Sequence, residues 1–197
     1  MSLPAMKLQY DGPITIATAG SRKSTSWKNR DVMWGELAKR LSITQRTAET
    51  QNEYITMAKA KKDEIKDVGG FVGGSLRNGR RKAESIVYRG LLTLDIDSVP
   101  QGDDPWPTVE MVIGCAAILY STHSHTPKSP RLRLVIPLSR KVSPDEYAAL
   151  SRRIAGDIGI DMCDDTTYEA HRLMYWPSTP IDGEYRFEMS DAPWLCP

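Results

Sequence analysis

The run Leu91-Leu92-Thr93-Leu94-Asp95-Ile96-Asp97 narrows the choice of fold more than any other stretch of the chain. It is short, mostly apolar and reads as a strand, entered from a turn at Gly90 and left through Ser98-Val99-Pro100. Side chains alternate across a strand, so Leu92, Leu94 and Ile96 share a core face while Thr93, Asp95 and Asp97 share the other. Carboxylates two positions apart stand about 7 Å from each other along the backbone, close enough to lean onto one or two metal ions. Asp is disfavoured in strands, and two on one face repel unless a cation lies between them. The competing reading is a strand that frays into a solvated acidic turn.

Flanking segments supply partners for this strand. Residues 14–19 alternate and predict a first strand, followed by a polar, basic loop, Gly20 to Ser26, of a kind that can hold phosphates or simply be mobile. Asn29 to Leu41 carries Val32, Met33, Glu36, Leu37 and Arg40 at helical spacing and predicts an amphipathic helix. Residues 44–67 predict one or two short helices with solvated turns, and Gly69 to Gly74 a flexible turn. A phosphate-loop reading of that turn fails, because Gly79 is followed by Arg80-Arg81 rather than Lys-Ser/Thr and a strand comes next. A hairpin whose Arg77, Arg80, Arg81 and Lys82 face a nucleic-acid backbone fits better, and an ordinary solvated hairpin fits equally well.

Beyond the Asp pair, the spacing predicts a short helix over 108–114 and a buried strand over 115–120 that continues to His125. A turn at 126–130 and a returning strand over 131–137 follow. Alternation places Ser121, His123 and His125 on one face, and Arg131 and Arg133 on one face. Two arginines so spaced clamp phosphate oxygens well, because guanidinium binds them bidentately. Ser143-Pro144-Asp145-Glu146 opens a helix running to about Ile158, with Tyr147, Leu150, Ile154 and Ile158 as its core stripe. Residues 171–178 predict a strand and 185–189 a last edge strand.

Composition sharpens this. From Lys59 to Arg89 there are nine basic and four acidic residues, and from Asp157 to Glu169 the chain turns acidic, a distribution suited to a polyanion held against metal ions. The three cysteines, Cys115, Cys163 and Cys196, form no CxxC pair, so neither a disulfide framework nor a zinc knuckle is indicated, which suits a reducing cytoplasm. No apolar run is long enough to span a membrane. Met1-Ser2-Leu3 reads as a remnant of cloning. The abrupt close at Trp194-Leu195-Cys196-Pro197 reads as the end of a fragment of a longer protein.

An Asp-x-Asp strand, then Ser-Thr-His-Ser-His-Thr-Pro with Pro-Arg-Leu-Arg, then Asp164 followed by an Arg-bearing strand ending in Pro177-Ser178: this ordered set resembles the archaeo-eukaryotic primase, or primase–polymerase, superfamily. In particular it resembles the N-terminal primase-like domain of phage and prophage replication proteins of the virulence-associated E type. The resemblance implies an α+β fold with a catalytic sheet like an RNA-recognition motif (RRM-like, 86–190) and an N-terminal α/β flank (1–85), together one domain over 1–197. It implies that Asp95, Asp97 and Asp164, with Asp165 as fallback, hold Mg²⁺ or Mn²⁺. Those ions would lower the pKa of a primer 3′-hydroxyl and neutralise the leaving pyrophosphate. Arg131, Arg133 and His123 would cradle the triphosphate of an incoming NTP or dNTP, and Arg172 would hold nucleotide or template. Ser121-Thr122-His123 fits the family's second motif, but the family histidine belongs on the strand after the hairpin, where this chain has Arg133. His123, His125 and Arg133 therefore all stay candidates for the phosphate-binding role. The zinc-binding stem of some relatives is absent. Single-stranded DNA as template, a helicase domain after residue 197 and a bacterial host cytoplasm complete the implication, and Asp95→Ala is expected to abolish nucleotide addition with the fold intact. Two other readings use the same residues. A rolling-circle nicking enzyme would use His123 and His125 on a metal, but the Tyr147-Ala-Ala-Leu150 helix lacks the Lys it needs. A catalytically silent nucleic-acid-binding domain would serve an attached helicase.

Overall fold

The computed structural model describes residues 6–197; the expected cloning remnant at Met1-Ser2-Leu3 lies outside the described residues. In chain order the elements are β1 (Pro13–Ala19), β2 (Lys28–Met33), α1 (Trp34–Leu41), β3 (Gln45–Arg46), α2 (Gln51–Thr56), α3 (Lys59–Ile65), β4 (Gly70–Val72), β5 (Gly74–Leu76) and β6 (Ile86–Ile96). There follow α4 (Pro105–Thr108), β7 (Ala117–Ser121), β8 (Leu132–Val142), α5 (Pro144–Ile158), β9 (Met174–Tyr175), β10 (Ser178–Thr179) and β11 (Phe187–Ser190). The fold is α+β, as expected. Its larger sheet is antiparallel with order β11-β7-β8-β6-β5, a second antiparallel sheet has order β2-β1-β4-β9, and β10 pairs with β3 in parallel.

The alternation read in the Asp-x-Asp stretch holds. Leu92, Leu94 and Ile96 join Leu119, Leu132, Leu134, Ile136 and the α5 residues Tyr147, Ile154 and Ile158 in one core. The opposite face is covered too: Leu91, Ile118, Tyr120 and Val135 pack with Ile14, Ile16, Phe71 and the α1 residues Trp34, Leu37 and Leu41. Thr93 and Asp95 are consequently buried, not solvated. Gly90 is no turn; β6 runs through it, with an irregular register against β8 between Arg89 and Leu91. Arg89 is fully buried, and its guanidinium donates to the carbonyls of Leu91 and Ala170 and to Thr93 Oγ1 while lying 4.1 Å over the Tyr147 ring.

Other expectations need correction as well. Asn29–Met33 is strand, not the start of a helix: β2 pairs with β1, Ile16 opposite Arg30, and helix begins only at Trp34, where Glu36 accepts from the Met33 backbone N–H. Gly69 to Gly74 is not a flexible turn but two buried strands. A Cβ on Gly70 would strike the Met174 carbonyl, and one on Gly73 would come within 2.6 Å of Leu91 Cβ, so these glycines serve close backbone approach. The strand expected over 171–178 breaks at Trp176-Pro177 into β9 and β10, which join different sheets. The helix expected over 108–114 is α4 continued by a wider turn, Val109–Ile113. By contrast α5 starts as read, with Ser143 Oγ accepting from the Glu146 N–H, and β11 is an edge strand against β7.

The two halves expected to meet at residue 85 exchange strands. β5 belongs to the larger sheet with β6, and β9 belongs to the smaller sheet with β4. No helix among the described residues is long and apolar enough to cross a membrane.

Candidate nucleotide-binding cleft

Antiparallel pairing brings the end of β6, the end of β7 and the start of β8 together at one end of the larger sheet's central strands. Register then sets Asp95 directly opposite Arg133 and Tyr120 opposite Arg133. A cleft of 460 Å³ opens there. Asp95, Asp97, Ser121 to Ser124, Arg131 and Arg133 line it from the sheet; Arg172, Leu173, Tyr175, Trp176 and Ser178 line it from the segment that follows. The N-terminal half adds Arg22, Lys23, Asp63, Lys66 and Arg81. Seven cationic side chains therefore face three carboxylates.

Most of that charge is already paired. Arg133 Nε donates to Asp95 Oδ1 at 2.7 Å, and Arg172 Nε donates to Asp95 Oδ2 at 3.2 Å. Arg172 reaches on to Asp164 Oδ2 at 2.9 Å, and Arg131 pairs with Asp97 at 3.0 Å. Asp164 also sits by backbone beside Asp95, its N–H donating to the Asp95 carbonyl. Burial opposes the charge of Arg133, but Asp95 more than offsets it and strengthens its hold on the proton. Burial raises the pKa of Asp97, and the neighbouring Asp95 and Asp164 add to the rise, against the pull of Arg131. Asp164 goes the other way: hydrogen bonds from Thr166 and the Arg172 charge outweigh its burial and hold its pKa down.

Asp95 and Asp164 are thus bridged by Arg172, while Asp97, two residues along from Asp95, is held by Arg131. Among the described residues no group of three Asp, Glu, His or Cys side chains is placed to hold a metal ion. A hard divalent cation wants about six oxygen ligands. Both Asp95 oxygens are engaged by guanidinium, so the donor set as it stands does not fit such an ion. Asp165, the fallback, starts a short helical turn capped by Asp164 and does not line the cleft.

The histidines separate. His123 lines the cleft, yet both its ring nitrogens are taken: Nε2 lies 2.9 Å from Glu49 Oε1 and Nδ1 2.8 Å from Ser178 Oγ. A carboxylate only accepts, so Nε2 carries the proton and Nδ1 accepts from the Ser178 hydroxyl. Burial lowers the pKa of His123 in spite of Glu49. His125 does not line the cleft; β7 ends at Ser121, and the next residues turn, so that His125 Nδ1 accepts from the Arg131 N–H. The expectation of His123 and His125 on one face fails for that reason. Arg133 is buried between Asp95 and the rings of Tyr120 and Tyr175, and it positions Asp95 rather than standing open to phosphate. Of the basic hairpin, Arg81 lines the cleft, whereas Arg80 is exposed outside it and Lys82 pairs with Glu84.

The loop read as phosphate-holding does face the cleft through Arg22 and Lys23, and Asp67 pins it by accepting from Ser21 Oγ at 2.6 Å and from the Arg22 N–H at 2.9 Å. Two further donors, Arg22 Nε and Arg81 Nε, are buried without any partner among the described residues. Buried donors normally find an acceptor, so these two are unsatisfied as the side chains stand. Sequence reasoning missed Glu49, which comes to His123 because β3 pairs with β10 and the Ile181 N–H donates to the Glu49 carbonyl. A family model described as the VapE N-terminal domain matches residues 2–197. Neither the curated proteins nor the solved structures contain a match.

Proposed function

The chain belongs to the VapE N-terminal domain family, which ties it to phage and prophage replication, and from that premise we propose that the cleft is the nucleotide site of a primer-making, template-directed nucleotidyltransferase. On this reading the larger sheet is the RRM-like catalytic sheet of a primase–polymerase, and the substrates are NTP or dNTP on a single-stranded DNA template. A helicase domain would follow in the full protein. The observation that carries it is the ring of seven cationic side chains around Asp95 and Asp97, with two guanidinium donors left without an acceptor. Arg22, Lys23, Lys66 and Arg81 would bind the phosphates as bidentate and point-charge donors. Arg131 is 40% exposed at its side chain, so it can turn from Asp97 to a phosphate at small cost. Arg133 holds Asp95 in place, and His123 shapes the wall with Ser178.

Mg²⁺ or Mn²⁺ stays in the proposal as the expected cofactor, which would supply charge neutralisation for phosphoryl transfer if the carboxylates were freed to hold it. Asp95, Asp97 and Asp164 are its proposed ligands, and they would fit it only after Arg172 and Arg133 release Asp95, Arg172 releases Asp164 and Arg131 releases Asp97. Templated extension assays with Mn²⁺ and all four nucleotides test the reading: synthesis by the parent chain and its loss in Asp97→Asn are expected, and full synthesis by that variant would overturn it. The pairing of all three carboxylates with arginine favours a second reading, a binding domain without catalysis. That reading predicts oligonucleotide binding with no dependence on Mn²⁺ or nucleotide. A nicking enzyme gains no support, because His125 turns away from the cleft that His123 lines.

A further inference from the structure

A second depression, 680 Å³ in volume, runs beside the cleft between α1 and the open end of the β2-β1-β4-β9 sheet. Its floor is apolar, formed by Ile16, Val32, Leu37 and Val68. Its rim is cationic. Lys28 and Arg30 occupy alternate positions of β2, paired with Thr18 and Ile16, and so project to the same side as Val32. Arg40 comes from α1, with its guanidinium 3.7 Å over the Trp176 ring, which also stacks on Phe71 at 4.9 Å between centroids. Lys28, Arg30 and Arg40 are all exposed, and among the described residues none of them makes an ion pair. The one acid in the lining, Glu36, is occupied as a cap on the Met33 N–H.

Uncompensated cations gathered over an apolar floor suit one kind of partner. A duplex hides its bases and offers phosphates alone. An unpaired strand offers phosphates to the rim and base faces to the floor and to a guanidinium plane. Trp176 lines both this groove and the cleft, so the two adjoin on either side of it. Partial burial of its stem against the groove lowers the pKa of Arg40, and the nearby Arg30 charge adds a smaller repulsion that a phosphate between them would relieve. We propose that this groove binds single-stranded DNA that continues past Trp176 into the cleft, with phosphates on Lys28, Arg30 and Arg40 and bases against the apolar floor and the Arg40–Trp176 stack. The direction of that path rests on the cleft being the nucleotide site; the groove's affinity for a single strand does not.

The test uses fluorescence anisotropy of the whole chain with labelled oligodeoxythymidine over a salt series. A variant combining Lys28→Ala, Arg30→Ala and Arg40→Ala should bind about tenfold or more weakly, with the slope of log affinity against log salt reduced by about 2 for three lost phosphate contacts. Its binding of free dNTP in the cleft should stay at the parent level. The single variant Arg30→Glu, on an exposed strand position, should weaken the oligonucleotide in the same direction and guards against a folding defect in the triple variant. Unchanged oligonucleotide affinity and slope in both variants would overturn the proposal. So would binding of duplex DNA or single-stranded RNA as tight as that of single-stranded DNA. If the parent chain binds the oligonucleotide through the groove but takes no dNTP, the cleft reading falls and the groove stands.

Discussion

The cleft and the groove are both basic and share Trp176, yet their charge is balanced in opposite ways. In the cleft Arg22 and Lys66 share Asp63, Arg131 takes Asp97, Arg133 takes Asp95, and Arg172 spans Asp95 and Asp164. In the groove Lys28, Arg30 and Arg40 pair with no carboxylate among the described residues. Compensated charge fixes side chains in place and contributes little long-range attraction. Uncompensated charge on an exposed rim attracts a polyanion and responds strongly to salt. On the proposed reading, one region serves geometry and the other capture.

The largest effect expected from this contrast is on activity. Asp97→Asn should lower Mn²⁺-dependent nucleotide addition by about 10²–10³-fold, the scale for losing one charge-stabilising group. Because burial already disfavours the Asp97 carboxylate, its melting temperature should move by no more than about 2 °C. Extension assays and thermal denaturation on one preparation read both. Asp95→Ala is a poorer probe than the sequence suggests, since it strands the buried Arg133 guanidinium and unsettles the fold as well.

Stability separates the two regions next. Arg133→Met leaves Asp95 buried without its closest partner and should cost about 3–5 kcal/mol in urea denaturation. Arg30→Met, in the groove, should stay within about 0.5 kcal/mol. Equal costs would erase the distinction. Glu49 and His123 lie between the extremes, a carboxylate holding a neutral ring. Glu49→Gln keeps an acceptor for Nε2–H, so its cost should be about 1 kcal/mol, that of a weakened hydrogen bond.

The smallest effect is on pH dependence. Burial lowers the pKa of His123 and of His125, so the unfolded chain binds more protons than the folded one once the pH drops below the ordinary histidine value of about 6.5. Stability should therefore be complete above that value and decline as pH falls towards the lowered folded pKa values. Combining His123→Gln with His125→Asn should flatten melting temperature against pH in that window; an unchanged slope would place the titration elsewhere.

Local signals carried well into three dimensions wherever one element decided the outcome. The Leu92/Leu94/Ile96 alternation, the Ser143 cap of α5 and the β11 edge each needed only a short window. Legibility ended where partners came from afar. Asn29 to Met33 looked helical because Val32 and Met33 extend the apolar spacing of α1, and only pairing with β1 makes it strand. The glycines of 69–74 looked loose because the backbones that crowd them, at Met174 and Tyr88, lie elsewhere in the chain. In the cleft the Asp95, Asp97 and Arg131 positions could be read, but not that arginines would occupy the carboxylates, because that depends on the β6–β8 register. Nothing around Glu49 marks it as the partner of a histidine 74 residues away.

The exchange of β5 and β9 between the sheets has a practical corollary. Any cut between Leu76 and Ile86 strips an edge strand from one sheet and leaves the other waiting for residues made about a hundred positions later. Expressing the first 85 residues alone should yield an insoluble or protease-sensitive product, and on the ribosome the smaller sheet stays incomplete until β9 emerges. Strands traded across the chain, rather than neighbours in sequence, tie the two sheets together.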